Sequence, residues 1–149
     1  MRENKIYPPT YFIACLLSAI ILNILLPIKR ILYAPYSYIG VVLIGGGIGL
    51  NLWADILFKK NKTTVKPFEK SNAFIEEGPF RFSRHPMYLG MALVLLGVAI
   101  GLGSIAPFIS PISFFISMEL LFIPDEEKSL EKTFAQKFLN YRQKVRKWI

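Results

Sequence analysis

The chain has 149 residues, 53% of them hydrophobic, a mean hydropathy of +0.42 and a formal net charge of +8. Its apolar residues come in long blocks, which excludes an ordinary soluble domain and reads as an integral membrane protein. The 18 Lys and Arg residues are spread by loop instead of gathered on one face, so the charge describes membrane topology and not a nucleic-acid surface.

A bilayer core of about 30 Å asks for roughly 20 apolar residues per helix, and four segments approach this: 11–28, 38–58, 87–103 and 106–123. Arg2 and Lys5 precede the first in the manner of a secretory signal, but no small-x-small cleavage site comes before Pro27-Ile28-Lys29-Arg30, so the helix is expected to stay uncleaved. The single cysteine, Cys15, lies inside that helix, which rules out an intramolecular disulfide and a cysteine-based metal cluster. Span two carries Gly45-Gly46-Gly47-Ile48-Gly49 and span three Gly97-Val98-Ala99-Ile100-Gly101; their small-x-x-x-small spacing predicts close packing of these two helices. The loop between them, 59–86, is polar, interrupted by Pro67 and Pro79, and long for a mere connection.

Leu102-Gly103-Ser104-Ile105, with Pro107 placed for a first helical turn, predicts an antiparallel hairpin of spans three and four. That hairpin brings Arg84-His85-Pro86 near Asp125-Glu126-Glu127. The tail, 126–148, has Leu130, Phe134, Phe138, Tyr141, Val145 and Trp148 at spacings of three and four, the pattern of an amphipathic helix. Such a helix lies in the interface with its basic residues toward anionic lipid, or folds over the spans as a lid. The expected architecture is a single all-α domain over 1–149 with four transmembrane helices and a C-terminal amphipathic helix.

Two Lys/Arg residues precede span one, two (Lys29, Arg30) follow it, seven lie between Lys59 and Arg84, none separates spans three and four, and seven follow Asp125. The positive-inside rule therefore puts both termini and the long loop in the cytoplasm, with sixteen of these charges inside and two outside. Asn23, Asn51, Asp55 and Glu119 lie in or near spans, where polar groups mark function or interhelical pairing; Asp55 and Glu119 are expected to pair with nearby basic residues or to line an acceptor entrance.

Arg84 offers a planar fork for a carboxylate, Glu126 and Glu127 accept from amino or ribose hydroxyl groups, and Tyr88 and Phe82 can face a cation. S-adenosylmethionine carries all the matching groups; the competing reading makes the arginines simple topology anchors. The run Gly78-Pro79-Phe80-Arg81-Phe82-Ser83-Arg84-His85-Pro86-Met87-Tyr88-Leu89-Gly90, followed by a hairpin and Glu126-Glu127-x-x-Leu130-x-x-x-Phe134, resembles the isoprenylcysteine carboxyl methyltransferase and phospholipid methyltransferase families of small membrane enzymes. The resemblance covers roughly the second half of the chain. It implies S-adenosylmethionine as cofactor, a lipophilic methyl acceptor entering from membrane lipid, no metal, and a cofactor site formed by Arg84, His85, Pro86, Tyr88, Gly90, Glu126 and Glu127, with no catalytic base assigned. Where these families commonly show Phe-Gly-x-Glu-Tyr, this chain has Phe134-Ala135-Gln136-Lys137-Phe138, and it ends Val145-Arg146-Lys147-Trp148-Ile149; Lys147 replaces an arginine and loses its fork. Rival readings are a proton-coupled four-helix transporter using Glu119 or Asp55, a membrane reductase of the sterol type binding a nicotinamide dinucleotide, and a small membrane interaction protein. Prenylated protein, amine-bearing phospholipid, isoprenoid acid and small thiol all fit as acceptor.

Overall fold

The computed structural model describes residues 7–26, 28–62 and 73–149. Arg2, Lys5, Pro27 and Pro67, which enter the sequence reading above, lie outside them. The described residues are helical: α1 (Pro8–Leu25), α2 (Tyr38–Lys60), a 3-10 turn (Gly78–Arg81), α3 (Pro86–Leu102), a second 3-10 turn (Ala106–Phe108), α4 (Ile109–Ser117), a π turn (Met118–Phe122) and α5 (Ile123–Lys144). There is no strand among them, only an isolated bridge between Arg30 and Ser104.

Three helices are long and apolar enough to cross a membrane, Pro8–Leu25, Tyr38–Lys60 and the continuous Ala106–Lys144, while Pro86–Leu102 is a shorter apolar helix. Ile13, Leu17 and Ile24 of α1 and Val41, Val42 and Ile56 of α2 stand exposed. Large aliphatic surfaces of this kind suit lipid as solvent, and the chain is an integral membrane protein.

Boundaries differ from the sequence reading for physical reasons. The first helix starts at Pro8, whose fixed φ suits a first turn, and stops at Leu25, because Leu26 precedes a proline and takes φ −120°, ψ 76°. The expected break between the fourth span and the tail is absent: helix runs unbroken past Pro124, and the widened π turn Met118–Phe122 sits where that proline withholds an amide from the helical ladder. The helix ends at Lys144, four residues short of the expected Trp148, and Val145 is extended (φ −116°, ψ 130°).

Helix α3 occupies the centre, with α2 on one side and α1 and α4 on the other. Helices α2 and α3 pack closely, as their glycine content predicts, through Gly47 and Gly97 of the expected runs together with Gly40 and Gly90. A Cβ on Gly47 would lie 2.5 Å from the Gly90 carbonyl oxygen, and one on Gly97 would lie 2.5 Å from that of Gly40, whereas nothing approaches Gly45, Gly46 or Gly49. Gly40, Gly47 and the fully buried Ala54 recur every seven residues along α2, matched antiparallel by Gly97 and Gly90. Seven-residue spacing keeps one narrow seam facing the partner. On the other side the Ser18 and Ser110 hydroxyls join α1 to α4 at 2.8 Å, and Tyr11 meets Phe122 edge-on at 5.3 Å. The α3–α4 turn closes on Gly103 in the left-handed conformation (φ 75°), and its carbonyl accepts the Ile31 and Leu32 amides.

Helix α5 bends at Ala135, whose φ 41° and ψ −119° are non-helical and unfavourable for a residue with a Cβ. This is the position where the resembled motif commonly carries glycine. Ala135→Gly is therefore expected to stabilise the protein by about 1 kcal/mol. Gly47→Ala and Gly97→Ala should destabilise it by about 1–3 kcal/mol, through enforced separation of α2 and α3, while Gly45→Ala leaves it unchanged. Thermal unfolding of the detergent-solubilised variants checks all four.

Candidate functional site

The loop entering α3 is fixed before any polar chemistry is considered. Gly78 has φ +59°, and a Cβ there would come within 2.6 Å of Leu57 Cδ1 and 3.1 Å of the Trp53 indole nitrogen, so glycine alone lets the loop sit on the end of α2. Phe80 then buries itself against Ala54, Leu57 and Ile75, edge-on to Phe58 at 5.4 Å. From the other side the Tyr141 hydroxyl donates to the Phe80 carbonyl at 2.6 Å, and Phe74 lies among Phe134, Phe138 and Tyr141. Ser83 completes the frame: its hydroxyl accepts the His85 amide and donates to the Lys147 carbonyl, each at 3.2 Å. His85 precedes Pro86, the first residue of α3, and takes φ −126°, ψ 59°.

Held this way, His85 is 6% exposed and both ring nitrogens face carboxylates. Nε2 lies 3.3 Å from Glu127 Oε1, a hydrogen bond, and Nδ1 lies 3.3 Å from Glu126 Oε2, an ion-pair contact without hydrogen-bond alignment. Glu127 Oε1 also meets Arg84 Nη2 at 3.1 Å, so one oxygen serves two cations. Arg84 donates its backbone amide to the Arg146 carbonyl at 3.1 Å. Tyr88 stacks on the imidazole, centroids 5.7 Å apart and planes 9° from parallel. Two cations and two carboxylates thus form a buried, charge-balanced cluster; removing one member of such a group commonly costs about 3–5 kcal/mol.

A narrow cavity of about 50 Å³ opens beside the cluster, lined by Phe58, Phe80, Arg84, His85, Pro86, Met87, Tyr88 and Glu126. Two of its polar atoms are buried without a hydrogen-bond partner, Arg84 Nε and Glu126 Oε2. Buried polar atoms are rarely left without a hydrogen bond, so these two stand out within the cluster. Of the sequence-derived residues, Arg84, His85, Pro86, Tyr88 and Glu126 line the cavity. Glu127 stands behind His85 and Arg84, and Gly90 lies away from the cavity, against Asn51 and the Gly47 carbonyl. Glu126 and Glu127 sit within a continuous helix and not at the start of a separate tail helix. Asp55 pairs with Lys59 at 2.6 Å, while Glu119, in the π turn, accepts from Lys147 Nζ at 2.5 Å and from the Trp148 indole N–H at 3.0 Å. Sequence reasoning did not give Ser83 or Tyr141 a role at the site, and it expected a basic partner for Glu119 without identifying Lys147 or the added Trp148 contact; the crowding of Trp and Lys into the final three residues was the available signal. A second, apolar groove of about 280 Å³ runs between α3 and α4, lined by Ala92, Leu96, Phe108, Pro111, Ile112 and Phe115.

The cluster's charge state follows from competing effects. Burial works against protonation of His85, but the nearby carboxylates of Glu126 and Glu127 outweigh it and hold the imidazole above its ordinary value of 6.5. Burial likewise opposes ionisation of Glu127, and the His85 bond with the Arg84 charge overcomes it, holding this carboxyl below its ordinary 4.5. A raised histidine stabilises fully below 6.5 and loses its contribution as pH rises through the folded value; a depressed glutamate stabilises fully above 4.5 and loses it as pH falls through its own. The cluster's contribution should be greatest between about pH 4.5 and 6.5. Thermal midpoints recorded against pH should fall above 6.5 in the wild type, and this alkaline slope should be missing in His85→Asn.

Comparison with known proteins identifies the family. The family model described as phospholipid methyltransferase matches residues 36–137, more than half of the chain and including the Arg84–His85 loop, the α3–α4 hairpin and both glutamates. An uncharacterized protein of Haemophilus influenzae is 35% identical over 63 residues, which cover 42% of this chain and the whole of that protein. No solved structure matches. The chain is a methyltransferase-type membrane protein and belongs to the phospholipid methyltransferase family.

Proposed function

We propose that the protein is an S-adenosylmethionine-dependent methyltransferase acting, within the membrane, on a lipophilic acceptor, an isoprenylcysteine-type carboxylate or a related lipid. The observation that carries this reading is a donor and an acceptor on residues lining the cavity, Arg84 Nε and Glu126 Oε2, both buried and without a hydrogen bond, the latter held only by its ion-pair contact with His85. One donates and the other accepts, which suits a ligand bearing both a carboxylate and a hydroxyl or ammonium group. Phe58, Phe80 and Tyr88 add aromatic surface for a flat base or a sulfonium. The chemistry of the lining fits this cofactor, while a ligand of nucleoside size asks for roughly 300 Å³ or more, so the cavity walls must part on binding.

When bound, S-adenosylmethionine supplies the electrophilic methyl carbon. The chain's residues bind, orient and exclude water. Arg84 and Glu126 bind through their free atoms, with Pro86 and Tyr88 forming the wall; Glu127 fixes Arg84 and His85, and Gly90 lets α3 lie close on α2. His85 is held between two carboxylates and orients them, and no catalytic base is assigned. The apolar groove between α3 and α4 supports an acceptor with a hydrocarbon chain reached from lipid.

In this reading residues 1–149 form one domain with four spans, and α5 is an amphipathic tail helix. Both termini and the site face the cytoplasm. Lys59, Lys60, Arg81, Arg84, Arg146 and Lys147 belong to the end of the bundle that carries the site, and Lys29 and Arg30 to the other, which supports that orientation.

Calorimetric titration of S-adenosylmethionine into the detergent-purified protein tests the proposal. Wild type should bind, and His85→Ala and Glu126→Gln should each weaken binding at least about tenfold, equivalent to about 1.4 kcal/mol. A folded wild type that takes up no cofactor would sink the reading.

A further inference from the structure

The last five residues lie across the site without lining it. The Arg146 carbonyl accepts the Arg84 amide at 3.1 Å and the Lys147 carbonyl accepts the Ser83 hydroxyl at 3.2 Å, while Ser83 in turn accepts the His85 amide. Val145 is extended and no helix follows it, so the strap has no helical ladder of its own to hold it in place. Its one strong anchorage is in the membrane helix. Both oxygens of Glu119 are taken by the strap, Oε1 by Lys147 Nζ and Oε2 by the Trp148 indole N–H, and the Trp148 ring stacks on Phe115 at 4.5 Å. Glu119 lies in the π turn, eight residues before Glu127.

We propose that Glu119, Lys147 and Trp148 form a latch that positions Arg84 and His85 by holding the C-terminal strap against the loop. They are positioning residues: none lines the cavity, and they act through the backbone carbonyls of Arg146 and Lys147. The idea deepens the methyltransferase reading and rests on it for its effect on cofactor binding, but the latch itself is a statement about the loop. A carboxylate in an otherwise apolar helix is costly, and its two oxygens face two donors from one short segment. Trp148 also packs on the core cluster that contains Tyr88 of the cavity wall.

His85 is the only histidine in the chain, so its imidazole gives one unambiguous set of signals in protein labelled with 13C,15N-histidine. Spectra should be recorded at constant pH in detergent micelles for wild type, Glu119→Gln, Lys147→Met, Trp148→Phe and the charge swap Glu119→Lys/Lys147→Glu, together with hydrogen exchange of the Arg84 amide and affinity for S-adenosylmethionine. The latch predicts that Glu119→Gln and Lys147→Met shift the imidazole signals in the same direction, speed Arg84 exchange at least tenfold and weaken cofactor binding several-fold. Trp148→Phe, which keeps the stack and loses the N–H, should show the same changes to a smaller degree, and the swap should restore them toward wild type. Unchanged imidazole signals and Arg84 exchange in the folded Lys147→Met and Trp148→Phe variants would overturn the proposal. So would a swap no better than either single change. The imidazole and exchange readouts need no cofactor, so they decide the latch even if the wild type binds none, an outcome that counts against the methyltransferase reading alone.

Discussion

A buried imidazole with a carboxylate facing each ring nitrogen is the contact on which the site of this protein depends. The partners come from opposite ends of a hairpin, His85 before α3 and Glu126 and Glu127 after the fourth apolar stretch. A buried charge without its counterpart is costly, so hairpin closure and site assembly are one event. The Arg84 contact to Glu127 balances the second carboxylate. What results is a fixed polar element at the end of an apolar bundle, with two buried atoms, Arg84 Nε and Glu126 Oε2, that make no hydrogen bond within the chain.

The helices behind the site meet a different requirement. In lipid there is little hydrophobic gain from joining two apolar helices, so association relies on close backbone approach and on a few polar contacts. The seam of Gly40 and Gly47 against Gly97 and Gly90 supplies the first on one side of α3, and the Ser18–Ser110 contact an example of the second on the other. Gly90 therefore connects the two requirements: it belongs to the loop motif by sequence and to the helix seam by position.

Much of this was legible in the sequence because it rests on local rules. Apolar block length gave the helices, Gly103 and Pro107 gave the tight hairpin, and the pairing of Arg84-His85 with Glu126-Glu127 followed from the hairpin's return. Other features depend on tertiary choice. Small residues at several phases of α2 offer more than one seam, and nothing local picks Gly40 and Gly47 over Gly45 and Gly49; the side chains of α3 make that choice. The continuous helix through Pro124 was hidden for a similar reason, since a proline is ordinarily a stop and only a widened turn before it lets the helix proceed. Ala135 is the converse case, where a residue that favours helix occupies a bend imposed from outside. The Glu119 contacts were half visible: pairing with a basic residue was expected, but the partner came from the last residues of the chain.

The π turn has a geometrical consequence for how this architecture can vary. Each residue of an α-helix advances about 100° around the axis, so the nine steps from Met118 to Glu127 would leave the two on opposite sides of a regular helix. Both are buried here, and the extra residue accommodated by the wide turn removes one step, bringing them within about 80° of each other. The turn thus acts as a phase adjuster between the membrane part of the helix and the part carrying the carboxylates. Insertions or deletions on either side of it would rotate Glu126 and Glu127 away from His85, so the number of residues linking span to site is as constrained as their identity.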